Sequence, residues 1–166
     1  SGAPVRLTHL PGNERCPSWS PDGTEIAFLC KPQDQPELCI IPVLGGSVRR
    51  MAAVGNSVYG LSWSPDGRTI AYAAGDTSGT FPRIRLLSLE DLSQRDLTLP
   101  PPHAQGDIGP AFSPDGRSVA FVRINEAKEQ DAYFVSTGGG EAHKLEIGGM
   151  RVAGLDWLSK TDMILS

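Results

Sequence analysis

The chain of 166 residues carries 19 glycines, 14 prolines and a net charge of −4, and 39% of its residues are hydrophobic. That length suffices for a domain with its own core, and an acidic balance without a basic cluster excludes a reader of the phosphate backbone, so no nucleic-acid partner is expected. No run approaches the roughly 20 apolar residues that cross a bilayer, and no basic-then-apolar leader opens the chain, so no direct membrane contact is expected.

In chain order the first distinctive element is Trp19-Ser20-Pro21-Asp22-Gly23. It returns as Trp63-Ser64-Pro65-Asp66-Gly67 and as Phe112-Ser113-Pro114-Asp115-Gly116. A worn fourth copy starts at Trp157, where Leu158-Ser159-Lys160-Thr161 replaces Ser-Pro-Asp-Gly. The four aromatic residues, at 19, 63, 112 and 157, stand 44, 49 and 45 positions apart. Each motif is followed by an apolar run: Ile26–Leu29, Ile70–Ala73 and Val119–Val122. A second run follows at Leu38–Val43, Ile84–Leu89 and Ala132–Val135, and a short closing segment ends at Met51, Leu97 and Leu145.

Each unit therefore predicts four short strands, A to D, separated by turns. Proline presets φ near about −65° at the second turn position, aspartate bonds nearby backbone amides, and glycine takes the positive φ that closes a tight hairpin. Strands B and C are apolar on both alternating faces, as expected for sheets covered on two sides and not for a two-sheet sandwich. A period near 45 with four strands per unit selects an all-β β-propeller built from four-stranded antiparallel blades. The boundaries predicted are 11–52 for blade 1, 53–99 for blade 2, 100–147 for blade 3 and 148–166 for the start of blade 4. Trp19, Trp63, Phe112 and Trp157 are expected as wedges packed between blades.

These motifs resemble the TolB-type, WD-repeat-like β-propeller family, whose repeat is a W-S-P-D-G strand and turn followed by I-A-F. The resemblance covers nearly the whole chain. It implies one of three settings: TolB itself, the gating propeller of a prolyl-oligopeptidase-like enzyme, or a sensor region of a bacterial kinase or membrane-anchored regulator. The Gly45-Gly46…Arg50-Met51 ending is most similar to the sensor group.

Ser1-Gly2-Ala3-Pro4-Val5-Arg6-Leu7 aligns with Gly45–Met51 and with Gly139–Leu145. Residues 1–10 are therefore expected to form strand D of a preceding or closing blade. With three full units and an A–B hairpin, the chain is expected to be a partial propeller of about three and a half blades, a fragment of a larger bacterial-type protein. Its open ends would leave strand edges and apolar faces that a second copy could cover, so a homo-oligomer closing the ring is expected.

Binding residues concentrate on loops carried by a rigid scaffold. The D–A and B–C loops share one face of a propeller, and from them Asn13, Glu14, Arg15, Asn56, Tyr59, Asp107 and Arg151 are chosen as candidates to bind a protein or peptide partner at the channel mouth. Asp22, Asp66 and Asp115 are assigned to turn geometry, in different blades and on the opposite face. No nucleophile stands in a recognisable setting with His9, His103 or His143, and neither a nucleophile elbow nor a phosphate-binding loop is present. The expected function is a non-catalytic interaction or sensor module without a cofactor. The alternative is an accessory propeller that gates a peptidase.

Three cysteines leave at least one thiol without a partner in the chain. Cys30 and Cys39 flank the B–C loop of the first unit. They are either buried thiols or, if the hairpin register allows, a disulfide that persists in an oxidising compartment. This slightly favours a periplasmic or other extracytoplasmic location. Structural zinc needs four clustered ligands, so no metal site is expected.

Overall fold

A computed structural model describes residues 5–31, 35–55, 58–75, 79–146, 152, 155–157, 159 and 162–165. The described residues contain strands and no helix, hence no helix long and apolar enough to cross a membrane. Blade 1 is the sheet β1 (Arg15–Trp19), β2 (Glu25–Cys30), β3 (Glu37–Pro42) and β4 (Arg49–Ala53), in that spatial order. Blade 2 repeats it with β5 (Val58–Trp63), β6 (Thr69–Ala74), β7 (Arg83–Ser88) and β8 (Gln94–Asp96). Blade 3 comprises β9 (Ala104–Phe112), β10 (Ser118–Asn125), β11 (Gln130–Ser136) and β12 (His143–Lys144). A two-stranded sheet, β13 (Leu155–Trp157) and β14 (Met163–Leu165), follows. All neighbouring strands are antiparallel.

The Ser-Pro-Asp-Gly turn closes the same way three times. The glycine amide donates to the serine carbonyl at 2.9, 2.9 and 2.8 Å. The serine hydroxyl donates to the aspartate two residues on, at 2.6, 2.6 and 2.7 Å, and accepts from the amide five residues on, at 2.9, 2.9 and 3.0 Å. The glycines sit at φ of 70°, 70° and 71°, where a Cβ would be strained. These bonds hold the Asp22 and Asp66 carboxyls below the usual carboxylate range, the serine hydroxyl first and the backbone amide next. In the fourth copy Ser159 and Asp162 bond each other over a shorter connection, with Ser159 Oγ 2.6 Å from Asp162 Oδ2.

Alternation along strand B determines what each blade face meets. In β6, Ile70, Tyr72 and Ala74 pack with Ala27, Leu29, Leu38 and Ile40 of blade 1. Ala71 and Ala73 point the other way and join Ile84 and Leu86 against Val119, Phe121 and Val135 of blade 3. Both faces of a middle blade are thus covered by neighbours, and the core consists of the seams between blades. Polar contacts cross those seams: Trp63 Nε1 donates to the Ser18 carbonyl at 3.0 Å, the Phe112 amide to Ser62 Oγ at 3.0 Å, and Trp157 Nε1 to the Ala111 carbonyl at 3.2 Å. Each joins strand A of one blade to strand A of the blade before.

Two expectations need correction. Trp63 is the buried wedge anticipated, but Trp19 is 61% exposed. A wedge needs the strand A of an earlier blade to press on, and no described residue stands there for β1. Residues 5–10, anticipated as a strand D, form no strand. A strand D of a preceding or closing blade would pair with strand C of that blade, which is not among the described residues; Leu7 and Leu10 instead pack over Phe28, Cys30, Cys39 and Ile41 of blade 1.

Every full strand A carries an irregularity three residues before its aromatic, at Cys16, Gly60 and Gly109, with φ of 51°, 93° and 60°. At Gly60 a Cβ would also lie 3.2 Å from Gly109 Cα and 3.3 Å from Pro110 Cδ across the seam. Gly60→Ala therefore combines left-handed strain with a seam clash and is expected to cost about 1–3 kcal/mol in urea unfolding. Gly23→Asn, with nothing within 4 Å of its Cβ, is expected to cost less than about 1 kcal/mol.

Tyr72 is fully buried and its hydroxyl lies 2.5 Å from Gln94 Oε1. Burial pushes the phenol up to about 12 from 10.0, against the pull of the Arg85 charge. The raised value means that Tyr72 supports the fold fully below pH 10 and loses that contribution as pH rises towards 12. Thermal melts between pH 9 and 12 should fall in that window, and Tyr72→Phe should flatten the fall.

Candidate loop-face site

The D–A and B–C loops of blade 1 meet at the start of β1. A Cβ on Gly12, which has φ of 100°, would lie 3.2 Å from the Lys31 carbonyl, so the two loops lie against each other there. Between them opens a cleft of about 620 Å³, lined by Gly12, Asn13, Arg15, Leu29, Cys30, Lys31, Pro36 and Val58. Its apolar wall comes from the ends of β2 and β5 and its polar rim from the loops. The volume falls within the roughly 300–1,000 Å³ of ordinary ligand sites.

The sequence candidates divide. Asn13 and Arg15 line this cleft. Tyr59, 48% exposed, adjoins Val58 on β5. Glu14 accepts a bond from Thr8 Oγ1 at 2.5 Å and is not part of the lining. Asn56 and Arg151 lie outside the described residues.

Asp107 is not a polar head at the channel mouth. It is fully buried, and Arg123 holds it with two bonds, Nε to Oδ1 at 2.7 Å and Nη2 to Oδ2 at 2.8 Å. The guanidinium lies over the Tyr133 ring at 4.8 Å and the Phe121 ring at 5.5 Å. Burial works against the Arg123 charge, but the bonds and charge of Asp107 outweigh it and raise its pKa. The Asp107 amide also donates to the Pro82 carbonyl at 2.7 Å, tying blade 3 to blade 2. The reason is register: Asp107 faces Arg123 across the β9–β10 hairpin, so the loop-edge acid is captured by its own blade.

Sequence reasoning passed over Lys31, Pro36 and Val58. Lys31 follows strand B directly, and the hairpin register would have placed it beside the start of strand A. Cys30 and Cys39 are joined in a disulfide with Cα atoms 6.1 Å apart. They are not directly opposed: Cys39 faces Phe28 and Cys30 faces Glu37, so the bond runs diagonally on one face. Cys16 is the free thiol among the described residues.

The profile of the TolB beta propeller domain matches residues 1–157. The chain belongs to the TolB β-propeller family. Its repeats are 32% identical to the Tol-Pal system protein TolB of Nitratidesulfovibrio vulgaris, over 70% of this chain and 25% of that protein. They are 26% identical to the uncharacterized peptidase YuxL of Bacillus subtilis, over 81% of this chain and 26% of that one. The chain thus spans about a quarter of the length of these relatives. Among solved structures, TolB from Acinetobacter baumannii superposes with a TM-score of 0.72 at 20% identity, over 87% of this chain and 35% of that one. A prolyl endopeptidase superposes at 0.60 and 20% identity, over 87% and 23%. At such identities these two likenesses establish the fold.

Removing one partner of a buried bidentate pair strands a charge. Asp107→Ala is expected to destabilise the TolB-type propeller by about 3–5 kcal/mol in chemical unfolding. The pair replacement Asp107→Leu with Arg123→Met is expected to recover most of that loss, because no charge remains to be buried. A double variant as unstable as Asp107→Ala would show that the pair is not the unit of stability.

Proposed function

We propose that this chain is a non-catalytic protein-recognition or sensor module, part of a larger bacterial-type propeller protein, which holds a peptide segment of a partner at its loop face. The observation that supports it is the cleft lined by Gly12, Asn13, Arg15, Lys31 and Pro36, carried on inner strands whose backbone is fixed by seam contacts. A cleft carried on a rigid scaffold loses less conformational freedom on binding than one built on mobile elements. Family membership supports the same reading. The Cys30–Cys39 disulfide favours a location outside the cytoplasm, where such bonds persist. The exposed Trp19 on strand A of blade 1 is a surface that a further blade, including one from a second copy, would cover.

A second reading is favoured by the similarity to a peptidase: an accessory propeller gating a separate hydrolase domain. It requires an α/β domain with a nucleophile elbow on the same polypeptide.

Peptides selected against the chain from a displayed random library, followed by hydrogen exchange of the complex, test the first reading. Protection is expected at residues 12–15 and 58–59, with the turns at 20–24, 64–68 and 113–117 unchanged. Protection confined to those turns, or no selected binder, would overturn it.

A further inference from the structure

We propose that the loop end of the β2–β3 hairpin is a redox-gated zinc site. When the Cys30–Cys39 disulfide is reduced, the two thiolates and the Glu37 carboxylate hold one zinc ion. The ion is a ligand of a different kind from a peptide segment, and its site does not depend on the peptide reading.

The hairpin register places the three side chains on one face. Cys30 stands opposite Glu37, and Cys39 lies two residues beyond Glu37 on the same strand. One ligand atom from each, two sulfurs and a carboxylate oxygen, lie within 4.8 Å of one another. Both cysteines are buried, and Leu7, Leu10, Phe28 and Ile41 pack around them as an apolar shell. A second observation is independent of that spacing. Glu37 Oε2 is buried, and no described group donates a hydrogen bond to it. Arg50 Nε stands 3.7 Å away, an ion pair beyond hydrogen-bond reach. A buried polar oxygen without a partner is uncommon, and coordination to a cation satisfies it. Counting cysteines and histidines alone does not find this set, because its third member is a glutamate brought in by strand pairing.

A dithiol reductant opens the pair: its thiolate attacks one sulfur, and it leaves as its own disulfide, so that Cys30 and Cys39 each become a thiol. Zinc binding then releases the two thiol protons to solvent. Bonds of about 2.3 Å to sulfur and about 2.0–2.2 Å to oxygen in a tetrahedron place the three ligand atoms roughly 3.6–3.8 Å apart. Reduction lets the sulfurs part to that spacing. Two sulfurs with one oxygen suit zinc, whereas magnesium and calcium take all-oxygen sets. Two thiolates and a carboxylate leave one negative charge on the complex, and Arg50 offsets it. Three protein ligands leave the fourth position to water. The same hairpin end is thus closed by a disulfide when oxidised and by zinc when reduced.

The test uses the intact chain carrying Cys16→Ser, so that Cys30 and Cys39 are its only cysteines. It is reduced with a phosphine and titrated with cobalt(II), whose thiolate charge-transfer and tetrahedral visible bands report the ligands. One equivalent is expected to bind with both bands, and zinc is expected to displace it and raise the melting temperature of the reduced chain. The oxidised chain should show neither band. Adding Cys30→Ser or Cys39→Ser should abolish the charge-transfer band or weaken binding, and Glu37→Gln should weaken zinc binding at least about tenfold. Circular dichroism checks that the reduced chain keeps its strands. Absence of the bands, equal binding by the oxidised chain, unchanged affinity in Glu37→Gln, or loss of the strands on reduction would each overturn the proposal and leave the peptide reading standing.

Discussion

The constraint on which this structure depends is that a blade has two apolar faces and can cover neither by itself. β6 shows it at the level of single residues: Ile70, Tyr72 and Ala74 look towards blade 1, while Ala71 and Ala73 look towards blade 3. A strand buried on both sides is stable only between neighbours, because apolar area left in water costs roughly 25 cal/mol per Å². The molecule is therefore held together by its seams, and each blade is stable insofar as the next one is in place. The uncovered positions obey the same rule. Among the described residues no strand A lies before that of blade 1, and Trp19 there is 61% exposed, while Leu7 and Leu10 pack over Phe28 and Ile41.

Apolar seams alone would let the blades slide, and the polar contacts fix their register. The indoles of Trp63 and Trp157 and the amide of Phe112 each reach strand A of the preceding blade. The close approach of Gly60 to Gly109 lets those inner strands converge. The turns act locally instead. Ser20, Ser64 and Ser113 each use one hydroxyl both to donate to an aspartate and to accept from an amide, closing the A–B hairpin without help from a neighbour. Local closure and non-local seams thus rest on different residues, and the repeat conserves both kinds from blade to blade.

This division also explains where a binding surface can arise. The turn face is committed to hydrogen bonds that shape the hairpins, and its aspartates are already engaged. On the loop face Asn13, Arg15 and Tyr59 take no part in those serine–aspartate turn bonds, so they are free to differ from their counterparts in other blades. Asp107 illustrates the limit of that freedom. It occupies a comparable level on strand A of blade 3, yet its hairpin partner is Arg123, and a buried pair forms in place of an exposed acid.

The sequence alone determined the architecture, because the spacing of the aromatic-Ser-Pro-Asp-Gly motifs and the two-sided apolar strands follow from local turn chemistry and from period-two alternation. It also placed Asn13 and Arg15 on the correct loop, since loop position follows from strand order. Only the tertiary structure decided which loop residues meet. Whether Lys31 stands beside Arg15, whether Cys30 reaches Cys39 diagonally, whether Asp107 is exposed or paired, and whether Trp19 has a blade to press on all depend on register and on neighbours far along the chain. Those are properties of packing between units, and a repeat read one unit at a time does not contain them.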